Sequence, residues 1–181
     1  MPMDNFEKDA ILRSFEIIVD TREQETYRAS SRYEALGVPY YRQTLNYGDY
    51  TYNAVLPSGA WIHDTAAGRI FPTIAIERKM HLDELAQCLT SSRKRFEAEI
   101  ERAHAHGARL WLLIEDATWA ALMDHQYRSM MSVNSYFGSL MALMTRYDVH
   151  VLMCGKWDSG QLIKRILTWE LKERLERGEY G

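Results

Sequence analysis

Four apolar runs, each too short to make a helix, govern what this chain can become: "FEIIVD", "TIAIERK", "RLWLLIED" and "DVHVLM". Short runs of apolar and β-branched residues between polar ones read as buried strands. The first three close on charged residues, and charge is costly to bury without a partner. Elsewhere the apolar period changes to that of a helix. Leu82, Leu85 and Leu89 share one face, as do Phe96, Ile100 and Ala103 at i, i+4, i+7. Val133, Tyr136, Phe137, Leu140, Met141 and Met144 form another stripe, read as core or as a pairing surface. A helix from about Thr26 to Leu36 stops at Gly37, with Pro39 beyond it, and a long helix over 158–177 closes the chain. "YYRQTL" reads as a further strand. Residues 47–79 have the texture of an antiparallel meander, with turns at Pro57-Ser58-Gly59 and Ala67-Gly68. Helices before and after the central strands predict an α/β domain, a central mixed β-sheet flanked by helices.

Composition narrows the class without naming a partner. The 181 residues, 46% of them hydrophobic, suit one domain over 1–181 with a full core. Twenty-two Lys plus Arg against 25 Asp plus Glu give a net charge of −3. Such a chain binds nucleic acid only through a local basic patch. Cys88 and Cys154 are too few and too far apart for a disulfide framework, which points to a reducing, intracellular setting: cytoplasmic, or nuclear in a eukaryote. The opening "MPMDNFEKDA" is polar and acidic rather than a signal peptide. The longest clean apolar run, "LWLLI", falls far short of a membrane span.

The acids at the strand ends carry the chemistry. Asp20 and Glu23 stand in "VDTRE", Asp49 in "LNYGDY", and Glu77 in "IERK". If these ends meet, two carboxylates about 4 Å apart repel by roughly 4 kcal/mol at an effective dielectric near 20. The cluster must then take up protons or a cation. Carboxylate oxygens suit a hard divalent ion, and Mg²⁺ is held by one or two of them plus water and substrate phosphate. Lys79 lies two residues after Glu77, on the same side of a strand of period two. An acid and an ammonium aimed at one spot serve hydrolysis of a phosphodiester. Asp83 falls in the first turn of the next helix, where it also suits the dipole.

With these residues in hand, "GDY…IERKMHLD" resembles the GD…ERK-x-x-x-D signature of XPF-type structure-specific endonucleases, a branch of the restriction-endonuclease-like (D/E)xK nucleases. "VDTRE" resembles the family's upstream acidic motif, and "SSRKRFEAEIER" its following basic helix. "LLIED" and "RYDVHVLM" are similar to its later strands. The resemblance covers roughly Phe15 to Leu167. It implies a restriction-endonuclease-like fold, with Asp20, Asp49 and Glu77 binding metal and Glu23 ligating or supporting. Lys79 would be the catalytic lysine. Arg22, Arg78, Asp83 and Arg95 would support the site or touch substrate. The implied cofactor is Mg²⁺, replaceable by Mn²⁺. The implied substrate is DNA near branches, flaps and forks, in recombination, repair or replication, and the implied assembly is a homodimer or heterodimer through the nuclease domain.

Two departures stand out. The chain ends at Gly181 with a polar helix where many members continue into helix-hairpin-helix modules, so a stand-alone form is expected. The family's basic helix commonly carries Gln near the position of Glu99, where an acid would repel phosphate. Arg93, Lys94, Arg95 and Arg102 are candidates for DNA phosphates, and an ion-pair network with Glu99 or a solvated face competes for them. His104 and His106 lie on different sides of a helix, poor geometry for one metal. Two rival functions stay open: a catalytically silent scaffold that binds DNA junctions, and a general restriction or repair nuclease without branch preference.

Overall fold

The computed structural model describes residues 3–180, and those residues build one six-stranded sheet between two layers of helices. The strands are β1 (Glu16–Val19), β2 (Tyr40–Arg42), β3 (Tyr50–Asn53), β4 (Ile74–Lys79), β5 (Arg109–Glu115) and β6 (His150–Cys154). They lie in the order β2-β1-β3-β4-β5-β6. β3 runs antiparallel to both β1 and β4, while the pairs β1–β2, β4–β5 and β5–β6 are parallel. The sheet is therefore mixed, as the sequence predicts. β1 and β4 point the same way, and both deliver charged C-terminal ends to one edge of the sheet.

The helices are α1 (Asn5–Arg13), α2 (Tyr27–Leu36), α3 (Leu82–Leu89), α4 (Arg93–Ala105), α5 (Trp119–Met123), α6 (Val133–Tyr147) and α7 (Ser159–Glu176). Alternation along β5 shows how the layers form. Leu112 and Ile114 enter a core with Leu85, Phe96, Ile100 and Leu140 from α3, α4 and α6. Leu113 faces the opposite core, with Leu36 of α2 and Ile163 and Leu167 of α7. Burying one such Leu or Ile stabilises by roughly 1.5–3 kcal/mol, and both faces of the central strands are covered in this way.

Several local expectations change. α1 is an unforeseen helix in the acidic opening segment, fixed by a reciprocal cap: the Glu7 N–H donates to Asp4, and the Asp4 N–H donates to Glu7. Within the expected meander, residues 54–73 form no regular strand. Prolines and glycines interrupt pairing there, leaving a bridge between Val55 and Trp61, another between Leu45 and Ile70, and one 3-10 turn at Thr65–Ala67. In α6 the buried line runs Tyr136, Leu140, Leu143, which follows the helical period; Phe137 stays exposed. No helix among the described residues is long and apolar enough to cross a membrane, and both cysteines are free thiols.

Candidate active site

The pleat of β4 divides the Glu77-Arg78-Lys79 triplet between two faces. Glu77 and Lys79 point toward α3 and α4, where the Lys79 Nζ donates to Glu77 Oε1 at 2.5 Å and lies 5.3 Å from the centre of the Phe96 ring. Arg78 points the other way, toward α2 and α7. The "LNYGDY" turn brings Asp49 beside this strand. Gly48 adopts a positive φ of 72°, and a Cβ there would sit 2.6 Å from the Ala75 Cβ, so only glycine allows the approach. The Asp49 N–H donates to the Ile76 carbonyl (2.8 Å), and Asp49 Oδ2 accepts from the Arg78 N–H (2.8 Å). The Asp20 N–H in turn donates to the Asp49 carbonyl at 2.8 Å.

This crowding shifts the acids upward. Asp49 keeps some exposed surface yet is densely surrounded by protein. Burial raises its pKa well above the usual carboxylate range, the charges of Glu77 and Glu23 add to the rise, and Lys79 and the Arg78 N–H offset part of it. Burial also raises Glu77; Lys79 opposes that rise and Glu99 adds to it. For Lys79, burial disfavours the ammonium, but Glu77, with help from Asp49, outweighs burial and holds the group protonated.

Asp20 and Glu23 are engaged elsewhere. The buried Asp20 carboxylate accepts from the Leu45 N–H at Oδ2 (2.9 Å), from the Arg22 N–H at Oδ1 (2.6 Å), and from the Arg22 guanidinium at both oxygens (2.9 and 3.0 Å). Those donors engage both of its oxygens. Glu23 joins a buried network on the α2–α7 side, bonded to Arg32 (3.1 Å), Arg78 (2.9 Å) and the Tyr50 hydroxyl (3.2 Å). The fully buried Glu115 completes that network, paired with Arg28 and Arg32 at 2.9 Å each and Arg78 at 3.4 Å. Sequence reasoning assigned Glu115 no role. Its place at the end of the β5 run, beside β4, was the signal that could have found it. Burial alone would raise its carboxyl, but the Ser159 hydroxyl, Arg32 and Arg78 hold it below the usual value.

The other candidates lie further out. Asp83 accepts from the Arg128 N–H at 2.5 Å, tying α3 to the loop between α5 and α6 beside a cavity of about 490 Å³. His81 caps α3, its Nδ1 accepting from the Glu84 N–H. Arg93 pairs with Glu97 on the exposed side of α4 (2.9 Å), and Lys94, Arg95 and Arg102 are exposed. Glu99 turns toward the site rather than to its own helix: it accepts from the Gly48 N–H at 3.1 Å and lies 3.8 Å from Arg22.

The donor set fits one hard cation. Asp49 and Glu77 are two crowded carboxylates, one in the turn before β3 and one on β4, and a bound cation would relieve the repulsion that adds to the rise of Asp49. Among the described residues no three His, Cys, Asp or Glu side chains close around one point. A pair of carboxylates is nevertheless what Mg²⁺ commonly takes, with water and substrate phosphate filling the other positions.

Comparison with known proteins agrees with this architecture. A model of the ERCC4 domain family matches residues 19–166. Among solved structures, XPF from Aeropyrum pernix has a similar fold, with a TM-score of 0.60 at 18% identity, covering 91% of this chain and 69% of that one. XPF from Aeropyrum pernix in complex with DNA gives a TM-score of 0.57 at 18% identity, covering 87% of this chain and 65% of that one. The present chain thus spans about two thirds of either structure's length, and at this identity the likeness concerns the fold. No curated protein matches.

Proposed function

Because the chain belongs to the ERCC4 domain family, we propose that it is a metal-dependent DNA endonuclease that hydrolyses phosphodiester bonds in branched, flap or fork DNA. The observation that carries this reading is the pairing of Glu77 and Lys79 on one face of β4, with Asp49 brought beside them by the Gly48 turn. A scaffold that only binds DNA has no need of crowded, half-paired carboxylates at a strand end.

Asp49 and Glu77 would hold the ion, with Asp20 nearby orienting Arg22. When bound, Mg²⁺ or Mn²⁺ supplies Lewis-acid polarisation of the phosphate and a lowered pKa for its water. Lys79 contributes an ammonium that orients the attacking water or offsets negative charge developing on the phosphate. The Arg78 N–H fixes the Asp49 carboxylate, while the Arg78 side chain anchors β4 to Glu23 and Glu115. Attack in line on phosphorus leaves 5′-phosphate and 3′-hydroxyl ends. Placement and charge stabilisation dominate such a reaction. Exposed Trp119, Met123 and Phe137 around α5 and α6 support pairing of two nuclease domains.

The test uses labelled fork, flap and linear duplex DNA, with Mg²⁺ or with EDTA. We expect cutting of branched DNA under Mg²⁺, abolished by Asp49→Asn and by Lys79→Ala while DNA binding stays within about an order of magnitude of wild type. DNA that shifts without being cut would favour the scaffold. Equal cutting of linear and branched substrates would favour a general nuclease. Near wild-type cutting by Lys79→Ala would remove that residue from its role.

A further inference from the structure

Beside the acidic site, three arginines from three separate segments converge on one groove of about 310 Å³: Arg22 after β1, Arg69 in the long loop before β4, and Arg102 on α4. Thr44, Leu45 and Asn46 complete the lining. The loop carrying Arg69 is seated by backbone bonds on both sides of Ile70: the Asn46 N–H donates to the Ile70 carbonyl (2.8 Å), and the Ile70 N–H to the Thr44 carbonyl (2.9 Å). Arg22 is anchored by Asp20 and by the Leu45 carbonyl (3.2 Å), yet more than half of its side chain stays exposed. Like charges brought together repel, and here three guanidiniums face only two carboxylates, Asp20 and Glu99, both on the Arg22 side. Among the described residues no carboxylate lies within ion-pair distance of Arg69 or Arg102.

We propose that this groove is a phosphate seat: it takes a backbone phosphate of the DNA strand next to the one being cut, with Arg69 and Arg102 supplying the uncompensated charge. The seat rests on the nuclease reading for its ligand. Its position follows from the chain, since Arg22 holds Asp20, Asp20 is bonded through its backbone to Asp49, and Glu99 spans Arg22 and the Gly48 turn. A phosphate held there fixes the register of the strand over Asp49 and Glu77. Thr44 and the Asn46 side chain add neutral polar groups suited to phosphate oxygens.

The experiment measures binding of labelled fork DNA in EDTA, so that no cleavage intervenes, as potassium chloride rises from about 50 to about 200 mM. Each phosphate contact contributes a slope near 0.9 in log K against log salt. The Arg69→Ala, Arg102→Ala double variant, which removes the charge that holds this one phosphate, should therefore shrink the loss of affinity over that range by about 3-fold, and Arg69→Ala alone by about 2-fold. Arg177→Ala should keep the wild-type slope, because the C-terminal end of α7 lies at the start of β4, where Arg174 donates to the Thr73 carbonyl (3.2 Å), away from the end that carries the site. Arg69 is exposed and, among the described residues, has no hydrogen-bond or ion-pair partner, so a circular dichroism melt should match wild type. An unchanged slope for Arg69→Ala overturns the seat while leaving Mg²⁺-dependent cutting by the wild type intact. A reduced slope in a protein that never cuts would keep the seat and sink the nuclease reading. A wild type that binds no DNA overturns both.

Discussion

Glu115→Gln is the sharpest probe of how the site is held. Glu115 is fully buried at the end of β5 and pairs with Arg28, Arg32 and Arg78; Glu23 is the other carboxylate of the group. The replacement keeps the volume and one acceptor oxygen but leaves three guanidiniums facing one carboxylate. Removing one partner of a buried pair costs about 3–5 kcal/mol. Arg28 and Arg78 keep some water contact, which favours the lower end, near 3 kcal/mol. With a urea dependence of about 2 kcal/mol/M, the midpoint of unfolding should fall by roughly 1.5 M. A thermal melt should drop by about 6–12 °C. The effect should also depend on pH. Glu115 titrates below its unfolded value of 4.5, so its stabilisation is fully present above that value and fades as pH falls through the folded pKa. Wild type and variant should therefore converge in acid. The assay is urea unfolding at pH 7.5 and near pH 3, in EDTA. A loss below about 1 kcal/mol at pH 7.5, or a gap that widens in acid, would refute the claim that Glu115 neutralises this network.

Three further outcomes are expected. Gly48→Ala meets both a positive φ and a Cβ contact of 2.6 Å, so it should destabilise by about 2–4 kcal/mol and remove cleavage, read by urea melts and the fork assay. Burial, with a smaller contribution from Arg174, lowers the pKa of His63 to about 4 from 6.5. Between those values the unfolded chain takes up a proton that the folded chain refuses, so stability should fall by up to about 3 kcal/mol as pH drops through that window, and His63→Leu should flatten the decline. Exchanging EDTA for Mg²⁺ at about 100 times its dissociation constant should stabilise the wild type by about 2.7 kcal/mol, roughly 5–11 °C, and leave Asp49→Asn unmoved; an equal shift in both would place the ion elsewhere.

The outline of the fold was legible because its signals are local. Buried strands announce themselves as short apolar runs, and helices as a 3.6-residue period; the mixed sheet with helices on both sides follows. Glu77 and Lys79 were legible for the same reason, since a period of two leaves them no choice but a common face. The capping pair Asp4 and Glu7 was written just as locally and went unread. The irregular 54–73 segment was harder, because prolines and glycines mark turns without saying whether strands form between them.

The sequence by itself determined which residues could be chemical: acids at strand ends, a lysine two positions along, and a glycine ahead of Asp49. Only the tertiary structure decided which partners each of them meets. It gave Asp20 to Arg22 and Leu45, Glu23 to Arg32 and Arg78, and brought Arg69 opposite Arg102 across a loop with no regular strand. The physical reason is range. Backbone pattern is fixed within a few residues, whereas a buried charge takes whichever partner the packed layers bring to it, and Arg32 meets Glu115 from 83 positions away.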